Sequence, residues 1–156
     1  MNVVTMRLGE ELTAIPTSCL REILEPVPVT RVPNADGFAP GLINVRGVVV
    51  PLADLRVSLG IARTEATEDT RMLVLDVPVK DESITVAVIA NKVHDVMTLD
   101  VEGMETIPNI GMRWPPEFVK GISKWQEEFV LMPDLEAIFS QMFAKGATAG
   151  NGDEAK

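Results

Sequence analysis

The sequence has no tyrosine, a single cysteine and a single histidine, and only 4% of its residues are aromatic. Each shortage removes a class of function. Cys19 alone cannot form an intrachain disulfide, which fits a reducing compartment. His94 alone cannot build a histidine-based metal cluster or a catalytic triad, so no catalytic and no metal residues are assigned. The glycines show neither the Walker A spacing nor the dinucleotide-binding fingerprint, and no cofactor is expected. No apolar run reaches the length of a membrane span, and no basic stretch followed by an apolar one opens the chain. Positive charge is short as well: 14 Lys and Arg stand against 23 Asp and Glu, a formal net charge of −9. Such a balance repels phosphate backbones, and basic, aromatic strand faces are missing, so no nucleic-acid partner is expected. The expectation is a soluble, cytoplasmic protein without direct membrane insertion.

What is present is aliphatic. With 46% hydrophobic and 24% charged residues, 156 residues suit one domain or two small lobes sharing a core. Val, Ile and Leu must fill that core, and they favour pleated sheet. Residues 3–8 and 12–15, separated by the turn signal Gly9-Glu10, predict a hairpin. Pro16, Pro26, Pro28, Pro33, Pro40 and Pro51 exclude a long helix from the first third. Residues 42–45 and 48–52 flank Arg46-Gly47 and predict a tight hairpin. Asp54 then caps a short helix, residues 55–59, closed by Gly60. Residues 62–70 read as a connector, 72–77, 84–89 and 93–99 as strands, and 102–116 as irregular. Residues 118–123 and 129–132 predict another hairpin. From Asp134 onward, Leu135, Ile138, Phe139 and Met142 fall on one helical face, with Gly146 placed to stop the helix. The small, polar residues 147–156 predict a disordered tail.

The chain also resembles itself. A shift of 80 residues lays Phe38, Gly41 and Leu42 on Phe118, Gly121 and Ile122, and Asp54-Leu55 on Asp134-Leu135. A shift of 73 lays Ala14-Ile15 on Ala87-Val88, Leu20 on Val93, and Glu22-Ile23-Leu24 on Asp95-Val96-Met97. Each half offers about five short strands and one capped helix, marginal alone, which predicts a two-lobed all-β architecture. The halves differ at Asn44-Val45-Arg46-Gly47, whose counterpart is Lys124-Trp125-Gln126-Glu127. Gly47 can adopt positive φ, and Arg46 then projects from the strand end as a fixed cation.

The run from Leu42 to Arg56, Leu-Ile-Asn-Val-Arg-Gly-Val-Val-Val-Pro-Leu-Ala-Asp-Leu-Arg, resembles the signature of the bacterial chemotaxis coupling proteins, the CheW family. In order and spacing so do Arg7-Leu8-Gly9-Glu10-Glu11, Leu20-Arg21-Glu22-Ile23, Val29-Thr30-Arg31-Val32-Pro33-Asn34, and Gly121-Ile122-Ser123 followed by Pro133-Asp134-Leu135. The likeness covers residues 3–143. It implies two five-stranded SH3-like barrel lobes plus a C-terminal helix. These would form one CheW-like adaptor domain over residues 1–146, with lobe 1 about 14–65, lobe 2 about 70–133, and terminal segments packing across. It also implies a non-catalytic adaptor that joins the cytoplasmic tips of methyl-accepting chemoreceptors to the regulatory domain of the histidine kinase CheA. Such an adaptor is recruited to membrane-bound receptor arrays. Carried over by motif, Leu20, Glu22, Gly41, Asn44, Arg46 and Gly47 belong to the receptor-facing region or support it. Residues 102–116 show no clear family pattern, and two further features depart from it. Thr13 stands where a tyrosine or phenylalanine is usual, and Trp125-Gln126-Glu127-Glu128 replaces a glycine-containing turn.

Two other functions stand beside this one. The first is a regulatory CheW-like module of another two-component pathway. The second is a small carboxylate-based enzyme, although Asp and Glu pairs arise by chance among 23 acids. Arg46 itself admits two roles, a receptor contact or an ion-pair brace that holds its hairpin against Glu22. His94 aligns with Arg21 and Cys19 with Lys92, which places both at polar, partly exposed positions. Nothing near Cys19 marks it as a nucleophile.

Overall fold

Short apolar strands, set apart by the prolines and glycines, organise the chain into two sheets. The computed structural model describes residues 1–33, 37–100 and 114–141. The first hairpin is β1 (Asn2–Leu8) and β2 (Glu11–Pro16), followed by β3 (Leu20–Leu24) and the two-residue β4 (Thr30–Arg31). The second hairpin is β5 (Gly41–Val45) and β6 (Val48–Ala53), leading into α1 (Leu55–Leu59). Then come β7 (Arg71–Val79), β8 (Glu82–Ala90) and β9 (Lys92–Thr98), and after them β10 (Val119–Trp125) and β11 (Glu128–Pro133). A final helix, α2, spans residues 135–141. The all-β, two-lobed, SH3-like architecture expected from the sequence is the one observed, with six strands rather than five in one of the two sheets.

Both helix caps form as the sequence requires. The Asp54 carboxylate accepts from the Arg56 backbone N–H at 3.0 Å, and Gly60 closes α1 in the left-handed region at φ 70°. The Asp134 carboxylate accepts from the Ala137 N–H at 3.0 Å. Asp134→Ala is expected to lower stability by about 1 kcal/mol, read as a shift of the denaturant midpoint. An unmoved midpoint would show that this cap contributes nothing. Met142, the Gly146 stop, the tail at 147–156 and residues 102–113 of the irregular stretch lie outside the described residues.

The duplication reappears in the hydrogen bonds. Asp54 N–H donates to the Phe38 carbonyl at 2.7 Å, and Asp134 N–H donates to the Phe118 carbonyl at 2.8 Å. Arg46 and Gln126, also 80 residues apart, both have positive φ, 52° and 55°. The first sheet runs β10-β11-β2-β1-β9 and the second β3-β7-β8-β6-β5-β4. The sheets therefore do not part the chain near residue 70. β1 and β2 join the later strands, while β7 and β8 join the earlier ones. Each exchange is made by a parallel contact, β11 with β2 and β6 with β8.

That exchange explains why several strands are apolar on both faces. On β7, Leu73, Leu75, Val77 and Val79 enter a core shared by both sheets and both helices. The alternate residues Met72 and Val74 enter a second core with Ile43, Val50 and Leu52. On β1, Val4, Met6 and Leu8 join the shared core, while Val3 joins a third core with Val130 and Met132. The second and third cores are repeat equivalents, since Val50 and Leu52 lie 80 residues before Val130 and Met132.

Candidate functional site

The β5–β6 turn has only two residues, and both have positive φ, Arg46 at 52° and Gly47 at 83°. A two-residue hairpin turn of this hand matches the twist of its strands and favours Asn or Gly at the first position. Arginine there is strained, so something must hold it. Two contacts do. The Asn44 side-chain oxygen accepts from the Gly47 N–H at 2.8 Å, and the Arg46 guanidinium donates to Glu22 at 2.7 Å. Glu22 lies on β3, at the opposite edge of the same sheet, so the ion pair draws that sheet around its own core.

The Arg46 side chain nevertheless remains 76% exposed. An ion pair this wet stabilises a fold by about 0.2–1 kcal/mol, so it offsets the strain of the turn only in part, beside the Asn44–Gly47 bond. Its consequence is directional: Arg46 is aimed while most of its guanidinium edge faces solvent. Val48 and Val49, the next residues along the hairpin, are also exposed, at 61% and 62%. A cation and two aliphatic side chains thus lie at one hairpin end, Val48 and Val49 on opposite faces of β6. Asp95, the repeat counterpart of Glu22, has no ion pair among the described residues.

Of the six residues singled out in the sequence, Glu22, Asn44, Arg46 and Gly47 meet here. Leu20 and Gly41 do not. Leu20 sits two residues before Glu22, half-buried against the shared core. Gly41 lies at the far end of β5, where an added Cβ would collide with the Thr30 carbonyl oxygen and the Val29 side chain. Its part is to let β4 approach β5. Val48 and Val49 escaped the sequence reading because an apolar run inside a strand signals burial.

A second polar centre also went unread. Arg56, only 5% exposed, grips Asp54 through Nε and Nη2, both at 2.9 Å. Its Nη1 donates to the Asn91 side-chain oxygen at 3.2 Å and to the Thr64 carbonyl at 3.4 Å. The same Asn91 oxygen accepts from the Gly9 N–H at 2.7 Å, and the Asn91 backbone N–H donates to the Arg7 carbonyl at 2.8 Å. One network therefore joins α1, the 62–70 connector, the β8–β9 junction and the β1–β2 turn. The repeat counterpart of Arg56 is Glu136, which instead accepts from the Lys80 N–H at 3.2 Å.

The remaining candidates lie where the repeat alignment puts them. His94 is exposed and Cys19 is half-buried. Burial raises the Cys19 thiol above its ordinary pKa, the opposite of what activates a nucleophile. Among the described residues no group of His, Cys, Asp and Glu is arranged to hold a metal ion. No helix among them is long and apolar enough to cross a membrane.

Comparison with known proteins points in one direction. The chain is 27% identical over 145 residues to a probable chemotaxis protein CheW of Rhizobium etli, covering 93% of this chain and 91% of that one. It is 29% identical over 133 residues to the chemotaxis protein CheW of Klebsiella aerogenes, covering 85% and 78%. The crystal structure of the scaffolding protein TtCheW from Thermoanaerobacter tengcongensis superposes with a TM-score of 0.76 at 26% identity, over 86% of this chain and 84% of that one. The CheW-like domain matches residues 2–143, and the chain belongs to that family.

Proposed function

We propose that this chain is a non-catalytic chemotaxis adaptor that couples chemoreceptors to the histidine kinase CheA. The observation that carries the proposal is the β5–β6 hairpin end. Asn44 holds the turn through the Gly47 N–H and Glu22 pairs with the Arg46 guanidinium, beside exposed Val48 and Val49. A directed cation flanked by aliphatic surface suits a protein partner that offers a carboxylate or carbonyl beside apolar side chains. The cytoplasmic tip of a methyl-accepting receptor is the partner assigned to this face. The regulatory domain of CheA, itself homologous to this family, is assigned to other barrel surfaces. The protein works in the cytoplasm and is recruited to membrane-bound receptor arrays.

The test is a pair of titrations, one with a soluble receptor cytoplasmic fragment and one with the CheA regulatory domain. Saturable binding to each, with both bound at once in a ternary mixture, is the expected result. Binding to the kinase without the receptor would favour a module of another two-component pathway, and binding to neither would remove the adaptor reading.

A further inference from the structure

The N-terminal hairpin, β1 and β2, belongs to the sheet built by the last strands, while β3, the next strand along the chain, belongs to the other sheet. Its outward hydrogen bonds follow that placement. The Met1 amine donates to the Leu99 carbonyl at 3.0 Å, and Thr5 Oγ1 to the Asp95 carbonyl at 2.9 Å. The Gly9 N–H donates to Asn91, and Arg7 donates twice to Glu128. Each of these partners lies 82 residues or more along the chain. The buried side chains of the hairpin fill two cores, Met6, Leu8 and Ile15 the shared one and Val3 and Leu12 the third.

Against these many contacts the hairpin has one covalent tie to the body, the single turn Thr17–Cys19. Pro16 before it and Leu20 after it are already extended, at ψ 134° and 121°. The turn is held by the Leu20 N–H, which donates to the Thr17 carbonyl, and by the Thr17 hydroxyl, which donates to the Asn2 carbonyl at 3.2 Å. Opening it lengthens the link from about 6 Å to about 10 Å, at roughly 2.0 Å per residue coiled and roughly 3.3 Å extended. A second copy of the chain offers the same β9, β11 and cores, so a hairpin that enters it keeps the contacts it makes within its own chain. Closed and exchanged forms then differ by the turn and by the entropy of joining two chains, which concentration offsets.

We propose that residues 1–16 form an exchangeable unit, and that two copies of this chain trade them to make an intertwined dimer. The burial of the hairpin sets when this happens. Both cores must open before it can change partners, so exchange accompanies folding, and the folded forms interconvert slowly. The β5–β6 hairpin lies outside the exchanged segment, so the dimer carries two Arg46 ends.

Asn2 and Thr98, both exposed, report the exchange. Met1 and Leu99 share two backbone hydrogen bonds, which makes the adjoining pair Asn2–Thr98 the closer, non-hydrogen-bonded kind. Its Cα atoms stand about 4.5 Å apart, within reach of a disulfide. In a Cys19→Ala background, Asn2→Cys and Thr98→Cys are placed on separate chains, unfolded together, refolded at millimolar concentration and oxidised. A disulfide joining the two variants in a dimer is expected. Far less should form after refolding at micromolar concentration, or after mixing proteins that were folded apart. Deleting Ser18 from the otherwise unaltered chain hinders closure on the same chain and should raise the dimer fraction at least fivefold in sedimentation. Inserting Gly-Ser-Gly after Ser18 should lower it. Three results would overturn the proposal. They are no mixed disulfide after millimolar refolding, as much of it from proteins folded apart, or a dimer fraction that ignores the length of the link.

Discussion

Asp54→Ala is expected to cost about 3–5 kcal/mol, several times the loss from Asp134→Ala, although the two aspartates occupy the same place in the repeat. As a helix cap each contributes about 1 kcal/mol. Asp54 has a second task, because its carboxylate is the counter-charge for Arg56, and both side chains are nearly sealed from water. Without it a guanidinium is left in the interior with only neutral acceptors. In a chain of this size the loss amounts to a fall in melting temperature on the order of 10 °C. Arg56→Met should be similarly damaging, since it leaves the carboxylate buried. The double variant Asp54→Leu/Arg56→Met should be more stable than either single one, because it removes both buried charges together. Denaturant melts of the four proteins decide the matter. Equal midpoints for Asp54→Ala and Asp134→Ala would mean that Arg56 reaches solvent when its partner is gone.

Arg46→Ala is expected to weaken receptor binding by roughly 1–3 kcal/mol, the range for losing a charge-assisted hydrogen bond. Stability should fall by less than about 1 kcal/mol, because the pair with Glu22 is exposed. Affinity for the kinase regulatory domain should stay level. A split of this kind separates a contact residue from a brace, since a brace would weaken both partners and the fold together. Arg46→Lys sharpens the distinction. Lysine keeps the charge but loses the planar fork, so it restores receptor binding only in part if the guanidinium geometry is read. Unchanged affinity for both partners with unchanged stability would remove Arg46 from the site.

The hairpins, caps and repeat were legible because their signals are local. Gly9-Glu10 and Arg46-Gly47 mark turns over two residues, and Asp54 and Asp134 cap helices within one turn. The partnership of the sheets was not. Nothing within β2 says that it lies parallel to β11 rather than beside a nearer strand, because pairings over a hundred residues apart are decided by packing. Arg56 shows the same limit. An arginine in the first turn of a short helix reads as surface, and its burial depends on Asn91, 35 residues away. At the candidate site, the position of Arg46 followed from the turn. The exposure of Val48 and Val49 followed from where β6 runs past the edge of its core.

The exchanged hairpins bear on descent. Each half of the sequence gives two strands to the other half's sheet and takes two back, joined at equivalent parallel contacts. A lone half would have a free edge on β6 and a β1–β2 hairpin to place beside a sheet. Two identical copies could satisfy both needs by reciprocal swapping about a two-fold axis. The present chain has the form of such a swapped dimer fused into one polypeptide, with the 62–70 connector as the join. Fusion frees the halves from identity. One half then carries Arg46-Gly47 at its hairpin and the other Gln126-Glu127, so the molecule has two unlike ends.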